Sequence, residues 1–246
     1  NEAKKWSFDG ALSDIKQAIA IQDLPIYTQL EGDIHYLKQD YNSALASYKK
    51  VNESNIRSAS TIFTEAKTLE MLETPAEEVL VLMDSCVAQF NKPYSADAAP
   101  YLIERARVRM EAKQARNAVL DYDECYAALL GNVNDGFYNL RGQACLESKQ
   151  YQRALDDFTK AIELNPRELT YYSELAYVNM RVGRNQEAID VLKKSLKIDA
   201  EYAEGYRLIG VAYLQLKQNA EACEYFNKAK ELGDTNVDTL IEKYCK

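Results

Sequence analysis

At 246 residues, with 47% hydrophobic and 28% charged side chains, the chain has the composition of a folded protein rather than a disordered one. Its formal charge of −8 repels a phosphate backbone, so no nucleic-acid partner is expected. No stretch reaches the ~18 consecutive apolar residues of a membrane helix, so no membrane insertion is expected either.

Only 9 Gly and 5 Pro occur, which points to long helices and short loops. The first of these, Phe8–Gln22, carries Ala11, Ile15 and Ala18 on one stripe and reads as the second helix of a hairpin. Its partner would be only Asn1–Trp6, so 1–24 is taken as a partial N-terminal unit, either a truncated cap or the cut end of a longer array. No export signal is visible, and the chain begins at Asn1 without Met; a cleaved signal and a trimmed longer chain both account for that start.

Three degenerate two-helix units follow. In 25–58, Gly32, Tyr41, Ala44, Tyr48 and Val51 fall in their places, His35 takes an aromatic slot, and Thr28 and Glu31 miss theirs. In 59–98, Phe63, Ala66, Val79, Met83 and Cys86 fit, with Thr74-Pro75 as the turn between helices and Phe90–Pro100 as an inserted loop. In 99–134, Leu102, Ala106, Ala118, Tyr122 and Cys125 fit.

Three clear copies then run over 135–168, 169–202 and 203–236. Tyr138, Tyr172 and Tyr206 recur every 34 residues, as do Gly142, Ala176 and Gly210; Ala154, Ala188 and Ala222; Phe158, Leu192 and Phe226. The small residues belong where the two helices of a hairpin cross; Tyr138 and Phe158 are expected to fill the space between adjacent hairpins. Asn165-Pro166 ends the first clear copy, since Pro cannot continue a helix. The last segment, 237–246, reads as a capping helix with Leu240, Ile241 and Tyr244 on the final copy and Asp238, Glu242 and Lys243 toward water.

These copies resemble the tetratricopeptide repeat, whose pattern runs W-x2-L-G-x2-Y, then A-x3-F, then P. Tyr138, Gly142, Ala154, Phe158, Ala161 and Pro166 match it; Arg141 departs at the Leu slot and Cys145 at the second aromatic slot. The resemblance implies an all-α, right-handed superhelical solenoid of helix-turn-helix repeats with a C-terminal capping helix. It also implies a protein or peptide partner held by the first helices in a concave groove. By alignment that groove holds Ile103, Arg107 and Met110 in the degenerate copy. In the clear copies it holds Asn139, Gln143, Leu146, Ser173, Tyr177, Met180, Arg207, Val211 and Leu214. Asn and Gln suit an extended backbone, Tyr and Arg are frequent anchors, and Met adapts to varied side chains. Family members that hold an Hsp70 or Hsp90 C-terminal tail use a Lys and Asn clamp. The aligned slots here carry Asn139, Gln143, Thr170, Glu174, Glu204 and Leu208, without a base, so such a tail is not the expected ligand. A homo-oligomer, or an arm of a longer protein, is the structural alternative. The style of the repeats also resembles bacterial members, those of the cell envelope included.

Residues that could carry other chemistry have plainer explanations. His35 is the only histidine and reads as a packed imidazole. No phosphate-binding glycine motif occurs, no Cys-x-x-Cys pair occurs, and neither a cofactor, a metal nor an enzymatic activity is expected. Of the five cysteines, Cys86 and Cys125 take the small slot of Ala161, Ser195 and Ala229, and Cys145 an apolar one. Asp156-Asp157 and the Asp121, Asp123, Glu124 group are expected on solvated outer faces. Arg105, Arg109, Lys113 and Arg116 fall at helical spacing on one face, with Arg107 pointing elsewhere. They read as a charged helix balanced by Glu104 and Glu111, or alternatively as an anchor near Arg107 for the acidic group of a small ligand or substrate.

Overall fold

The computed structural model describes residues 7–52 and 58–245. The described residues form α-helices and two 3-10 turns, with no strand. The helices are α1 Phe8–Ile21, α2 Pro25–Leu37, α3 Tyr41–Asn52, α4 Ala59–Met71, α5 Ala76–Val87, α6 Ala99–Glu111, α7 Ala115–Ala128, α8 Asp135–Glu147, α9 Tyr151–Leu164, α10 Leu169–Arg181, α11 Asn185–Ile198, α12 Ala203–Gln215, α13 Asn219–Glu231 and α14 Asp238–Tyr244. The helix expected over Asn1–Trp6 lies outside the described residues. The chain forms two compact units, the first ending at Gly131 and the second beginning at Asn132.

In the first unit α1 packs on α2, and the hairpins α2–α3, α4–α5 and α6–α7 follow one another. In the second, the hairpins α8–α9, α10–α11 and α12–α13 stack in order and α14 closes the end. The helix starts use short polar side chains where the sequence offers them: Ser7, Ser58 and Asn134 each accept a hydrogen bond from a first-turn N–H. The inserted loop runs from Phe90 to a 3-10 turn at Ala96–Ala98 and contains a cis Lys92–Pro93 bond.

Each hairpin turns through one residue in the left-handed region: Gln39, Glu73, Lys113, Lys149, Gly183 and Lys217. In each, the next N–H reaches back five residues, as Gln150 to Cys145 at 2.7 Å and Arg184 to Asn179 at 2.8 Å, which satisfies a carbonyl at the end of the first helix. Glycine suits that position best, yet only Gly183 supplies it, so the other five turns carry no glycine signal in the sequence.

The small residues sit where the helices cross. A Cβ on Gly142 would lie 2.9 Å from the Phe158 ring, and one on Gly210 would lie 2.4 Å from the Phe226 ring. Phe158 therefore packs over Gly142 inside its own hairpin, rather than chiefly in the gap between hairpins. Ala154, Ala188 and Ala222 are fully buried, as are Cys86, Cys125, Ala161, Ser195 and Ala229 in the second small slot. Burial pushes the thiols of Cys86 and Cys125 up to about 11, so both stay protonated and behave as small apolar groups.

The cap departs from expectation in one respect. Leu240 and Ile241 pack onto the cluster of Ala222, Phe226, Ala229 and Val237, but Cys245 also forms a disulfide with Cys223 of α13. The bond closes a sequence separation of 22 residues, a loop whose cross-linking contributes about 3 kcal/mol in the chain-entropy account. It ties down a seven-residue helix, which has little cohesion of its own.

Candidate functional site

The second unit brings three first helices side by side: α8 beside α10 and α10 beside α12. Residues three and four apart on each helix share a face of that helix. From α8 come Asn139, Gln143 and Leu146, all half-buried; from α12 come Arg207, Val211 and Leu214, also half-buried. Tyr177 of α10 is 41% exposed and its ring is covered on one side by the Arg181 guanidinium, with a 3.3 Å bond from that guanidinium to its hydroxyl. Gln143 Nε2 donates to Glu174 Oε1 at 3.1 Å, which joins α8 to α10 across this face.

Three of the expected groove residues have other work. Met180 is buried in the cluster of Ala176, Ala188, Ile189, Leu192, Leu208, Ile209 and Ala212, because its slot faces the next hairpin. Ser173 is also buried, its hydroxyl 2.7 Å from that of Tyr202, which in turn donates to Glu204. Arg207 is not free for a partner: Nε donates to Asp234 at 2.8 Å and Nη2 to Glu204 at 3.0 Å. Asp234 accepts in addition from the Asn236 N–H, so Arg207 ties α12 to the turn that leads into the cap.

In the first unit, Ile103, Arg107 and Met110 are half-buried on α6. Arg107 is matched by three carboxylates of its own unit: Glu104, Glu111 and, from α4, Glu70. Lys67 joins the same network through Glu70 at 2.5 Å and Glu104 at 2.7 Å. Burial raises the Glu104 carboxyl, but the hydrogen bonds from Arg107 and Lys67 outweigh it and hold the group below the usual carboxylate range. The balance by Glu104 and Glu111 is thus present, and the anchor for an acidic ligand is already filled from within. The expected basic face is also broken up, since α6 ends at Glu111, Lys113 lies in the turn and Arg116 belongs to α7.

The acidic pairs correct the expectation of solvated outer faces. Asp121 is 1% exposed, bound by Arg105 at 2.6 and 3.1 Å, with Arg109 at 2.7 Å. Asp157 is likewise buried and is held by Arg141 through two bonds of 2.7 and 3.0 Å. The two forks are the same device in two copies, since Arg141 and Asp157 each lie 36 residues after Arg105 and Asp121. That shared shift was the signal available in the sequence. It also explains why Arg141 stands where the repeat pattern has Leu: a planar guanidinium meets a carboxylate on the partner helix. Asp123 and Glu124 are half-buried and Asp156 is exposed. His35 packs as an aromatic would, with Nδ1 3.2 Å from Asp40.

Comparison with known proteins places the fold. The sequence pattern of the tetratricopeptide repeat matches residues 137–168, and a second pattern of the same name matches 173–237. The small glutamine-rich tetratricopeptide repeat-containing protein 2 of Mycosarcoma maydis is 33% identical over 95 residues, covering 39% of this chain and 27% of that protein. The Hsp70-Hsp90 organizing protein 2 of Arabidopsis thaliana is 29% identical over 241 residues, covering 96% of this chain and 41% of its own length. The chain therefore spans well under half of these relatives. Among solved structures, the C-terminal part of a TPR repeat-containing protein from Cytophaga hutchinsonii superposes with a TM-score of 0.73 at 14% identity, over 96% of this chain and 93% of that one, which speaks for the fold alone. No helix among the described residues is long and apolar enough to cross a membrane. With all-helical hairpins in each unit, the small and large residues of the repeat in their slots, and these matches, the chain is a tetratricopeptide-repeat protein in fold, with the repeat's sequence pattern matched over 137–168 and 173–237.

Proposed function

We propose that the chain is a non-enzymatic adaptor that holds an extended segment of a partner protein along the first helices of its second unit. The observation that supports this most directly is the face of α8, α10 and α12, where Leu146, Tyr177, Val211 and Leu214 stay partly open to solvent beside the amides of Asn139 and Gln143. Apolar side chains give a partner contact area, and the amides can pair with its backbone. A segment laid there buries on the order of 1,200 Å², at the low end for specific interfaces, and a micromolar complex follows. A chaperone tail of the Hsp70 or Hsp90 kind is not the expected partner: the aligned clamp slots carry no base, and Glu174 would repel a C-terminal carboxylate.

The test uses peptides selected on the intact chain from a random phage library. Tyr177→Ala with Leu146→Ala should weaken them about tenfold, equivalent to about 1.4 kcal/mol, while the thermal transition moves little because both side chains are partly exposed. Arg207 is left unchanged, since its loss would loosen the cap. Selected peptides that bind the double variant as tightly as the parent would remove the site from this face.

The compartment we propose is an oxidising one. The Cys223–Cys245 disulfide supports it, while Cys86, Cys125 and Cys145 are buried and protected from exchange. Protein isolated from its source and denatured in the presence of an alkylating reagent, which caps Cys86, Cys125 and Cys145, should show two new thiols on subsequent reduction. None appearing at the reduction step would place the chain in a reducing compartment.

A further inference from the structure

The chemistry of the occupant follows from groups on this face that the chain leaves unmatched. Glu174 lies on α10, between α8 and α12. Its carboxylate has the Gln143 amide as a hydrogen-bond donor, and no ion pair among the described residues reaches it. Burial raises its pKa first, and the charges of Glu204 and Glu147 raise it further, against the opposing bond from Gln143. Glu147, at the end of α8, is exposed and likewise has no cation beside it among the described residues. The cations of the same face are committed elsewhere. Arg207 serves Asp234 and Glu204, and Arg181 lies over the Tyr177 ring.

One helical turn before Gln143 stands a second acceptor. Asn139 Oδ1 is buried and has no hydrogen-bond partner. An unmatched buried acceptor costs about 1–3 kcal/mol, so a donor brought by a bound segment would be stabilising there. Two neighbouring helices thus present an anionic and a neutral acceptor, both short of donors, within a face whose remaining side chains are apolar. Lys and Arg supply donors only and carry the opposite charge. Their long stems also cover apolar surface.

We propose that this face takes a basic and partly apolar segment of a partner protein, with a Lys or Arg cation set against Glu174 and Asn139 Oδ1 accepting a hydrogen bond from that cation or from the segment's backbone. The inference rests on the partner-binding reading of the face given above and adds the sign and the donor character of the partner. A segment with Glu or Asp at the same place meets Glu174, Glu147 and Glu204 and is rejected, so the arrangement selects as well as binds.

The probes are three sets of short fluorescein-labelled peptides with matched Leu, Ile and Tyr content. One carries Lys and Arg, one Ser and Gln, and one Glu. They are titrated against the full chain by fluorescence anisotropy at low and physiological salt, and the contact face is mapped by amide chemical shifts. The basic set should bind about tenfold or more tighter than the neutral set, lose affinity as salt rises, and shift the amides of Gln143, Glu174, Tyr177 and Val211. Glu174→Gln keeps the shape and removes a buried charge, so it folds; it should lower the affinity of the basic set about tenfold and leave the neutral set unchanged. Full affinity of the basic set for Glu174→Gln, or equal binding of all three sets on this face, overturns the charge assignment while the face survives as the binding site. Shifts confined to other helices, or no binding by any set, overturn both.

Discussion

Asp157→Ala is expected to cost the second unit about 3–5 kcal/mol, because it removes the buried carboxylate that accepts two hydrogen bonds from the Arg141 guanidinium. The Arg141 side chain is 13% exposed and that of Asp157 is 7%, so water cannot take over the lost bonds. Both guanidinium hydrogen bonds, at 2.7 and 3.0 Å, disappear together. The next copy shows how the same space is filled without charge, since Leu175 and Val191 stand in the equivalent slots, 34 residues on. Arg141→Leu with Asp157→Val should therefore be close to neutral or mildly stabilising, because packed apolar residues avoid the desolvation of two ions. Urea unfolding of the single and the double variant measures the difference. A single variant within about 1 kcal/mol of the parent would mean that the pair behaves as an exposed one.

The second large effect is expected at Ala188. It is fully buried in the cluster that joins α10, α11 and α12, beside Met180, Ile189 and Leu192. Ala188→Glu forces four further heavy atoms and a charge into that space, and should cost about 3–4 kcal/mol through overpacking and burial of an unpaired carboxylate. Asp190→Ala, two residues on along the same helix but exposed, serves as the control and should stay within about 0.5 kcal/mol. A melting curve for Ala188→Glu that overlays the parent would show that the repeat register is wrong at this slot, and with it the alignment that places Tyr177 and Val211 on one face.

Much of the architecture was readable because it is set by spacing within a few turns of helix. Thr74-Pro75 reads as a turn, and α5 starts at Ala76; Asn165-Pro166 reads as a stop, and α9 ends at Leu164. Ala154, Ala188 and Ala222 read as crossing points and carry no exposed surface. The candidate face was readable only in part. Asn139, Gln143, Leu146, Tyr177, Val211 and Leu214 each keep part of their surface open, Val211 and Leu214 while packing on the clusters beneath them, whereas Ser173 and Met180 are buried. A slot number places a residue on a helix face. How far the next helix covers that face depends on the side chains that the neighbour brings.

The amino-acid order alone determined the helices, their sequence and the small-against-large packing of each hairpin, because these follow from periodicity and size along a local stretch of chain. Only the tertiary structure decided the fate of the charges and of the last two cysteines. Asp157 alternates with apolar neighbours as a solvated residue would, yet it meets Arg141 sixteen positions upstream. Arg107 finds Glu70 across α4, Arg207 finds Asp234 beyond α13, and Cys223 finds Cys245 through the cap. A charge is solvated or buried according to what faces it across the packed seam, and that partner lies too far along the chain for any local pattern to name it.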